Sequence, residues 1–286
     1  MSLIYTDFLH QLSEHENLGS LKNHHPLAGG DINDVFLIET NQQKVVVKIN
    51  SATKFPDMFS KEANGLDLLA SAKALKTPNV LSFGTIENNS YLLLEYINSG
   101  KKLVDFWGNF AIGLAKQHQK TQKTFGLEED NYIGSLPQYN NSDSSFLVNF
   151  YIENRLEPQF QLAAKNGFSF KTDAFYKNLS SIIPEEEPAL IHGDLWNGNF
   201  MISAKGNPCL IDPAVSFAPR ELDIAMMHLF GGFSEELFST YHEIFPLQKN
   251  WKDRIDLFQL YYLLVHLNLF GSTYYNSVNS IVKKHS

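Results

Sequence analysis

The sequence has almost no cysteine and no long apolar run, and each absence excludes a class of protein. Its 286 residues include one cysteine, Cys209, so an intrachain disulfide and a cysteine-rich zinc site are both excluded. A reducing compartment, the cytoplasm, is the expected setting for such a chain. No apolar run approaches the ~18 residues that a membrane-spanning helix needs. The N-terminus also lacks the basic flank and apolar stretch of a signal peptide.

A basic excess is also missing. The chain has 23 Lys and Arg against 31 Asp and Glu, which gives a net charge of −8. A nucleic-acid partner is therefore not expected, because such proteins carry a basic footprint. The length suits two domains, with a core that needs no disulfide or metal to stabilise it.

The first 97 residues predict a mostly β-structured lobe with one helix. Phe36–Glu39 and Val45–Ile49 are apolar or β-branched runs on either side of a short polar link, which is the pattern of a hairpin. Residues 59–69 carry apolar side chains at helical spacing. Val80–Ile86 and Tyr91–Ile97 predict a second pair of strands.

After residue 97 the pattern becomes helical. Apolar side chains follow the spacing of an amphipathic helix at Leu103, Phe106, Trp107, Phe110 and Leu114. Further helices are predicted over residues 146–165, 173–183, 221–230 and 251–267. We therefore expect an α+β fold of two lobes. A small β-rich lobe would span residues 1–97, and a larger helical lobe would span residues 98–286.

The most informative segment surrounds a predicted hairpin of two short apolar runs, Phe200–Ser203 and Cys209–Ile211. Asn199 precedes the first run and Asp212 follows the second. Because antiparallel strands bring these two ends together, Asn199 and Asp212 should lie side by side. Asp194 lies on the loop that leads into the hairpin, so three oxygen-bearing side chains should converge.

These side chains suit phosphoryl transfer. An amide oxygen and a carboxylate are hard ligands for Mg²⁺, so Asn199 and Asp212 are the predicted metal ligands. Asp194 then remains to orient or deprotonate a hydroxyl, as the loop aspartate does in kinases. ATP and Mg²⁺ are therefore the predicted cofactors. The simpler alternative is that the three side chains only cap the hairpin through hydrogen bonds.

A kinase site also requires a strand lysine and a helix glutamate. Lys48 lies in the Val45–Ile49 strand, where period 2 places it on one face with Val46. We expect Lys48 to reach the ATP phosphates and Val46 to cover the adenine. Glu62, in the next helix, can pair with Lys48. The alternative is that both charged side chains are merely solvated.

Two further segments are predicted to contact the nucleotide. A glycine-containing turn precedes the Phe36–Glu39 strand and allows the backbone to approach phosphate closely; its candidates are Gly29, Gly30 and Asn33. The segment that joins the lobes should bond the adenine edge through the backbone of Glu95, Tyr96 and Ile97.

Segments along nearly the whole chain match one kinase family. They are GGDIN at 29–33, the Lys48 strand, LLLEYI at 92–97, LAKQHQ at 114–119, FGLEEDNYIGSLPQ at 125–138, RLEPQFQLA at 155–163, HGDLWNGN at 192–199 and IDPA at 211–214. On these segments the chain resembles the fructosamine kinases (ketosamine 3-kinases), a branch of the aminoglycoside-phosphotransferase and protein-kinase-like superfamily. The resemblance implies a two-lobed protein-kinase-like fold.

The resemblance also implies an activity. The family phosphorylates, with ATP, the 3-hydroxyl of a sugar bound to an amine as a ketoamine. The product is unstable and eliminates, which frees the amine and implies a deglycation repair role. Carried over by motif, Asp194 would be the base, Asn199 and Asp212 the Mg²⁺ ligands, and Lys48 with Glu62 the phosphate-anchoring pair. The expected partner is a small ketoamine or a glycated amine or protein.

Acceptor contacts are expected from four residues in the family-like segments: Trp196, Asp130, Asn131 and Gln138. Their alternative roles are core anchoring for the tryptophan and loop capping for the polar side chains. His192 and Asp223 are expected to fix the catalytic loop. His266, in an apolar helix, is expected to be a core histidine.

The chain departs from protein kinases in having no DFG and no APE motif. Only ten residues separate Asp212 from Asp223, so a peptide-binding activation segment does not fit, and the acceptor site should suit a small molecule. Two other interpretations stay open. One is a kinase of another hydroxylated amine, such as an aminoglycoside or choline. The other is an inactive nucleotide-binding protein, although all five kinase residues are present. The physiological ketoamine and the oligomeric state stay open.

Overall fold

A five-stranded antiparallel sheet forms the N-terminal part of the molecule, with strand order β1-β2-β3-β5-β4. The computed structural model describes residues 5–27 and 32–286. The strands of the sheet are β1 (Leu21–Pro26), β2 (Asp34–Thr40), β3 (Lys44–Ser51), β4 (Val80–Ile86) and β5 (Asn89–Glu95). Helix α1 (Thr6–His15) precedes the sheet, and α2 (Met58–Ser71) connects β3 to β4.

Both predicted strand pairs are confirmed. The β2–β3 register pairs Val35 with Lys48 and Leu37 with Val46. Their tight turn is stabilised by the Thr40 hydroxyl, which accepts hydrogen bonds from the backbone N–H groups of Gln42 and Gln43. The hairpin therefore fixes where Lys48 emerges.

The expectation of a single helix in this part of the chain is wrong. Helix α1 buries Phe8, Leu9 and Leu12 against one face of the sheet, while α2 packs Phe59 and Leu66 on the other. A sheet with two apolar faces needs a layer on each side, and α1 supplies the second. The short α1 sequence carries more polar than apolar residues, so its pattern alone gave a weak signal.

The rest of the chain is mainly helical. Its helices are α3 (Phe106–His118), α4 (Leu147–Phe150), a π-helical segment (Tyr151–Leu156), α5 (Glu157–Lys165), α6 (Asp173–Ile182), α7 (Glu221–Phe230), α8 (Glu235–Ile244), α9 (Ile255–Phe270) and α10 (Tyr275–Lys284), with 3-10 helices at Trp251–Arg254 and Ser272–Tyr274. Three two-stranded antiparallel sheets complete it: β6 (Asn131–Ile133) with β7 (Leu136–Gln138), β8 (Ala189–Ile191) with β11 (Ser216–Ala218), and β9 (Phe200–Ile202) with β10 (Pro208–Leu210).

The predicted helices agree with these bounds except at their ends. Leu103 lies before α3 and is 47% exposed, so the apolar stripe of that helix begins at Phe106. The predicted helix 251–267 begins as a 3-10 turn and becomes α-helical at Ile255. Helices α8 and α10 were not predicted. A signal was available, because both bury apolar side chains at helical spacing, Leu237 with Tyr241 in α8 and Val278 with Ile281 and Val282 in α10.

The connection between the two parts of the chain leads to the predicted site. Strand β5 ends at Glu95, and shortly afterwards the backbone N–H of Gly100 donates to the carbonyl of Ile202 in β9, at 3.0 Å. A lobe boundary at residue 97 stays a prediction. Within residues 5–27 and 32–286, none of the helices has both the length and the apolar character needed to span a bilayer.

Candidate active site

The predicted kinase side chains share one cavity of about 490 Å³. Lys48 and Glu62 reach it from the five-stranded sheet and α2, whereas Asp194, Asn199 and Asp212 reach it from the helical part of the chain. The cavity is thus lined from both sides, and Lys48 and Asp212, which are 164 positions apart in sequence, meet there.

Lys48 is the buried cation of the site. Its ammonium Nζ lies 2.6 Å from Glu62 Oε1 and 3.0 Å from Asp212 Oδ1. Burial disfavours the charged ammonium, but the carboxylates of Asp212 and Glu62 outweigh that effect and raise the pKa of Lys48. Lys48 is therefore charged at neutral pH and held between two carboxylates, as an anchor for phosphate requires.

The β9–β10 hairpin brings Asn199 and Asp212 together, as its sequence predicts. Phe200 pairs with Leu210, and the backbone N–H of Ile211 donates to the carbonyl of Asn199 at 3.0 Å. Asp212 itself has a φ of 53°, a left-handed conformation that is uncommon for a residue with a side chain. Such backbone strain persists only where the surroundings impose it, and it concentrates at functional sites.

Asp194 lies directly beside this pair. The Asn199 amide Nδ2 donates to the carbonyl of Asp194 at 2.8 Å and to its carboxylate Oδ2 at 2.9 Å. Burial raises the pKa of Asp194 to about 7; the Asn199 amide opposes that shift, and the carboxylates of Asp212 and Asp223 add to it. An aspartate of this kind is a stronger base than an exposed one.

Asp223 holds the loop that carries Asp194. Its carboxylate accepts hydrogen bonds from the backbone N–H groups of His192 (2.8 Å) and Gly193 (2.9 Å). Gly193 has a φ of +84°, and a Cβ there would lie 1.9 Å from the carbonyl oxygen of Ala214. Only glycine fits this close approach of the two segments. The prediction that Asp223 braces the loop is confirmed.

His192 joins the same loop to the segment before Asp212. Its Nε2 lies 2.9 Å from the carbonyl of Ile211, and its Nδ1 accepts from the backbone N–H of Asp194 at 3.3 Å. Burial lowers the pKa of His192 although nearby carboxylates oppose the shift, so the ring is neutral with its proton on Nε2. The predicted structural role of His192 is confirmed.

Sequence reasoning missed His118, which supports Asp223 from behind. Its Nε2 lies 3.2 Å from Asp223 Oδ2, and its Nδ1 lies 2.8 Å from the hydroxyl of Tyr241. All three side chains are buried. A signal was available, because His118 follows Phe110 and Leu114 at helical spacing on the apolar face of α3.

The oxygens near Asp194 fit a magnesium ion. The Asn199 amide nitrogen donates to Asp194, which leaves the amide oxygen to face elsewhere. Within the described residues, neither that oxygen nor Asp212 Oδ2 accepts a hydrogen bond, so both can bind a metal. Within residues 5–27 and 32–286, no group of three His, Cys, Asp or Glu side chains forms a metal site. A metal held here therefore needs oxygens from a nucleotide and water, which is the coordination that Mg²⁺ favours.

The residues predicted to hold the adenine do not line the cavity. Val46 packs with the α2 side of the sheet, and Val45 pairs with Glu95 in β5. The Glu95 carboxylate binds the Lys76 ammonium at 2.7 Å, and the Glu95 backbone N–H donates to Asn79. Tyr96 and Ile97 directly follow the end of β5. Adenine binding by Val46, Glu95, Tyr96 and Ile97 stays a prediction.

The glycine-containing turn is only partly described. Asn33 lines the cavity, and its side-chain oxygen accepts from the Asn50 amide at 2.6 Å. Gly29 and Gly30 lie outside the described residues. A phosphate-binding role for this turn stays a prediction.

Aromatic side chains line the same cavity as Asp194. Trp196 stands edge-on to Phe230 at 6.1 Å between ring centroids. His266 contacts Phe230, Phe270 and Tyr274 at 5.3, 5.5 and 5.1 Å. We call these five residues the aromatic wall. His266 is therefore not the core histidine that its apolar helix suggested. It is half-buried at the cavity surface, and burial lowers its pKa.

The three polar residues predicted as acceptor contacts are bonded to protein. Asp130 accepts from the backbone N–H groups of Asn140 and Asn141. Asn131 lines the cavity, but its amide donates to the carbonyl of Val215 at 2.9 Å. Gln138 is 2% exposed, and neither it nor Asp130 lines the cavity. Of the four residues, Trp196 and Asn131 line the cavity, and an acceptor contact by any of the four stays a prediction.

Comparison with known sequences identifies relatives over nearly the whole chain. The model of the family described as fructosamine kinase matches residues 4–285. A protein of Enterococcus faecium named "Probable ketoamine kinase" is 38% identical over 265 residues, which cover 90% of this chain and 93% of that protein. The chloroplastic protein-ribulosamine 3-kinase of Arabidopsis thaliana is 35% identical over 268 residues, which cover 90% of this chain and 80% of that protein.

Comparison with solved structures supports the same relationship. A crystal structure of a Haemophilus somnus protein assigned to the fructosamine-3-kinases superposes with a TM-score of 0.85 at 29% identity, over 96% of each chain. The aminoglycoside phosphotransferase APH(4)-Ia in a ternary complex with ADP and hygromycin B has a TM-score of 0.62 at 17% identity, over 96% of this chain and 98% of that chain. The predicted α+β, protein-kinase-like fold is thereby confirmed.

Proposed function

This chain belongs to the fructosamine kinase family, and we propose that it transfers the γ-phosphoryl group of ATP to the 3-hydroxyl of a ketoamine. It is a kinase, a phosphotransferase with an alcohol group as acceptor. The observation that carries the proposal is the convergence of Lys48, Asp194, Asn199 and Asp212 in one cavity beside the aromatic wall.

The nucleotide end of the cavity is assigned to the ATP phosphates. Lys48 is the cation for the phosphate oxygens, and Glu62 holds its ammonium in place at 2.6 Å. Asn199 and Asp212 are assigned to Mg²⁺, which neutralises phosphate charge when it is bound. The adenine is assigned to Val46 on β3 and to residues 95–97 at the end of β5.

Asp194 is assigned as the base for the acceptor hydroxyl. The bond between the acceptor oxygen and the γ-phosphorus forms as the bond from that phosphorus to ADP breaks, and the hydroxyl proton passes to Asp194. The raised pKa of Asp194 supports this assignment, since a carboxylate with a pKa near 7 accepts a proton more readily. In a loose transition state, most of the rate enhancement comes from positioning and charge stabilisation.

The aromatic wall is assigned to the sugar and the amine. Aromatic rings bind the apolar faces of sugars, and their π-electrons attract a protonated amine. Trp196 is only two residues from Asp194, so a sugar that rests on its ring lies within reach of the base. A cytoplasmic location belongs to the same proposal, because the single cysteine suits a reducing compartment.

An acceptor panel tests the proposed function. ATP consumption is measured with ribulose-lysine, fructose-lysine, an aminoglycoside and choline, and release of free lysine from the phosphorylated product is followed. We expect turnover with the ketoamines and release of the amine. Turnover with the aminoglycoside or choline alone would indicate a different acceptor class. ATP binding without turnover on any acceptor would indicate an inactive nucleotide-binding protein.

The ratio of kcat/KM for ribulose-lysine to that for fructose-lysine then decides which sugar is preferred. Both ketoamines carry the same amine, so the ratio reports only the difference between the two sugars as acceptors.

A further inference from the structure

A buried cluster of polar side chains holds the three residues Ala214–Ser216, which follow the predicted metal ligand Asp212 almost directly. We call it the buried polar cluster; its members are Asn131, Gln138, Asn140, Arg155 and Tyr261, all at most 9% exposed. None of them belongs to the catalytic loop or to the hairpin. Asn131 lies in β6, Gln138 in β7, Arg155 in the π-helical segment and Tyr261 in α9, and Asn140 lies two residues after β7.

The cluster bonds each of the three residues in turn. Gln138 Nε2 donates to the carbonyl of Ala214 at 2.9 Å. Asn131 Nδ2 donates to the carbonyl of Val215 at 2.9 Å. Arg155 donates to the hydroxyl of Ser216 at 2.9 Å. The segment next to Asp212 is thus held at three successive residues.

The members of the cluster also hold one another. Asn131 Oδ1 accepts from Gln138 at 2.9 Å and from Asn140 at 2.7 Å. Asn140 Oδ1 accepts from Arg155 at 2.8 Å. The Tyr261 hydroxyl donates to Gln138 Oε1 at 2.9 Å. Both polar ends of the Gln138 amide are therefore bonded to protein, which leaves this side chain nothing to offer a substrate.

The buried guanidinium of Arg155 adds a desolvation penalty to the buried polar cluster. Its guanidinium is buried, yet within the described residues no carboxylate forms an ion pair with it; it bonds amide, carbonyl and hydroxyl oxygens and lies 4.6 Å from the Phe150 ring. Burial lowers the pKa of Arg155, because a buried site disfavours the charged form. Burying a charge without a carboxylate partner is costly, so the hydrogen bonds that Arg155 makes to Asn140 and Ser216 point to a positioning role. The π-helical segment that carries Arg155 is a feature often found at functional sites.

We propose that the buried polar cluster positions Asp212 for the metal, and that Gln138 and Tyr261 are positioning residues of the reaction. The proposal rests on the assignment of Asp212 to Mg²⁺ in the proposed function. Asp212 adopts a strained φ of 53° two residues before the first bonded carbonyl, so its direction depends on where Ala214 is held.

Tyr261→Phe is the sharpest test, because a matched control exists. Tyr261 and Tyr151 are both fully buried, and each donates one hydroxyl hydrogen bond, Tyr261 to Gln138 and Tyr151 to the backbone carbonyl of Leu257 at 2.7 Å. Tyr151→Phe removes a comparable bond outside the cluster. Gln138→Met, which has a similar shape, removes all three Gln138 bonds.

The measurement is the Kd of ATP by calorimetry with and without Mg²⁺, together with the thermal midpoint of unfolding. The Kd without Mg²⁺ divided by the Kd with Mg²⁺ reports how much the metal contributes to binding, and a smaller ratio means a smaller contribution. We expect Gln138→Met to reduce that ratio by about tenfold, Tyr261→Phe to reduce it by less, and Tyr151→Phe to leave it unchanged, since supporting contacts around metal ligands typically change affinity by about 10- to 100-fold. Binding of ATP without metal should stay the same in all three.

Asp212→Asn distinguishes a failure of the metal assignment from a failure of the positioning role. If Asp212→Asn leaves the ratio unchanged, the metal assignment of the proposed function fails. If Asp212→Asn reduces the ratio but Tyr261→Phe and Gln138→Met do not, only the positioning role is overturned. An equal reduction in Tyr151→Phe would also overturn it, because general destabilisation would then explain the effect. Tyr261→Phe keeps the test decisive even if Gln138→Met does not fold.

Discussion

The ammonium of Lys48 and the carboxylate of Asp212 lie 3.0 Å apart, although 164 residues separate them in sequence. One side chain comes from the five-stranded sheet and the other from the end of the β9–β10 hairpin. Their contact ties the two parts of the cavity together and keeps a buried cation next to the predicted metal ligands. The proposed cation for the ATP phosphates and the proposed carboxylate for the metal are thus already adjacent.

Replacement of Lys48 should remove the phosphate anchor. Lys48→Met leaves Glu62 and Asp212 without their shared cation, and we expect the KM for ATP to rise by about tenfold or more, since a hydrogen bond to a charged group contributes about 1.5–3 kcal/mol. Lys44→Met is the matched control, because Lys44 lies on the same strand but is exposed and pairs with Glu39. Steady-state kinetics over a range of ATP concentrations measures both. Equal effects of the two changes would contradict the assignment.

Replacement of Asp194 should separate binding from turnover. Asp194→Asn keeps the shape and the contact with Asn199 but removes the base, so we expect kcat to fall by about 10²- to 10⁴-fold. The Kd for ATP, measured by calorimetry, should stay within a few fold of the wild-type value. The exposed Asp253 provides a control, since Asp253→Asn should change neither quantity. Turnover at the wild-type rate in Asp194→Asn would exclude the base assignment.

Acid should weaken the support beneath the catalytic loop. Burial opposes ionisation of Asp223, but the hydrogen bond and charge of His118 and the hydrogen bond from the His192 backbone N–H outweigh it and lower the pKa of Asp223. Because its folded-state pKa lies below the unfolded value of ~3.9, the stabilisation is present above that pH and is lost as the pH falls through the folded pKa. The free energy of unfolding should therefore decrease on acidification below about pH 4.

Asp223→Ala tests that origin. We expect it to cost roughly 3 kcal/mol at pH 7, since two backbone N–H groups and His118 lose a charged partner. The variant should also lose less stability on further acidification. Asp105→Ala is the control, because Asp105 is exposed and makes no capping hydrogen bond. Denaturant titrations between pH 3 and pH 7 measure these differences, and identical acid profiles for wild type and Asp223→Ala would refute the explanation.

Loss of the Trp196 ring should affect the acceptor and not the nucleotide. We expect Trp196→Ala to raise the KM for a ketoamine by roughly thirtyfold, since a ring against a desolvated cation contributes about 2 kcal/mol. The KM for ATP should not change. Trp251→Ala, which removes a partly exposed tryptophan that packs on His228 and His242 away from the cavity, should leave both KM values unaltered. A rise in the KM for ATP alone would indicate that Trp196 contacts the nucleotide and not the acceptor.

Local patterns were sufficient for much of the site. The hairpin that joins Asn199 to Asp212 follows from two short apolar runs and a turn-rich link, because antiparallel pairing leaves no other placement for the two ends. The pairing of Lys48 with Glu62 follows from a strand and the helix after it. The role of Asp130, Asn131 and Gln138 did not follow, because a sequence shows that a side chain is polar but not which backbone carbonyl it meets.

The sequence by itself determined the elements, the kinase side chains and the family, since these depend on periodicity, spacing and motifs within short stretches of chain. Tertiary structure decided which polar groups face the cavity and which are consumed inside the protein. It turned Gln138 inward to Ala214 and Tyr261, placed His118 beneath Asp223, and put His266 on the cavity wall and not in the core. The physical reason is that a buried polar group must find a partner, and that partner lies 76 residues away from Gln138 and 105 residues away from His118, beyond the reach of any local pattern.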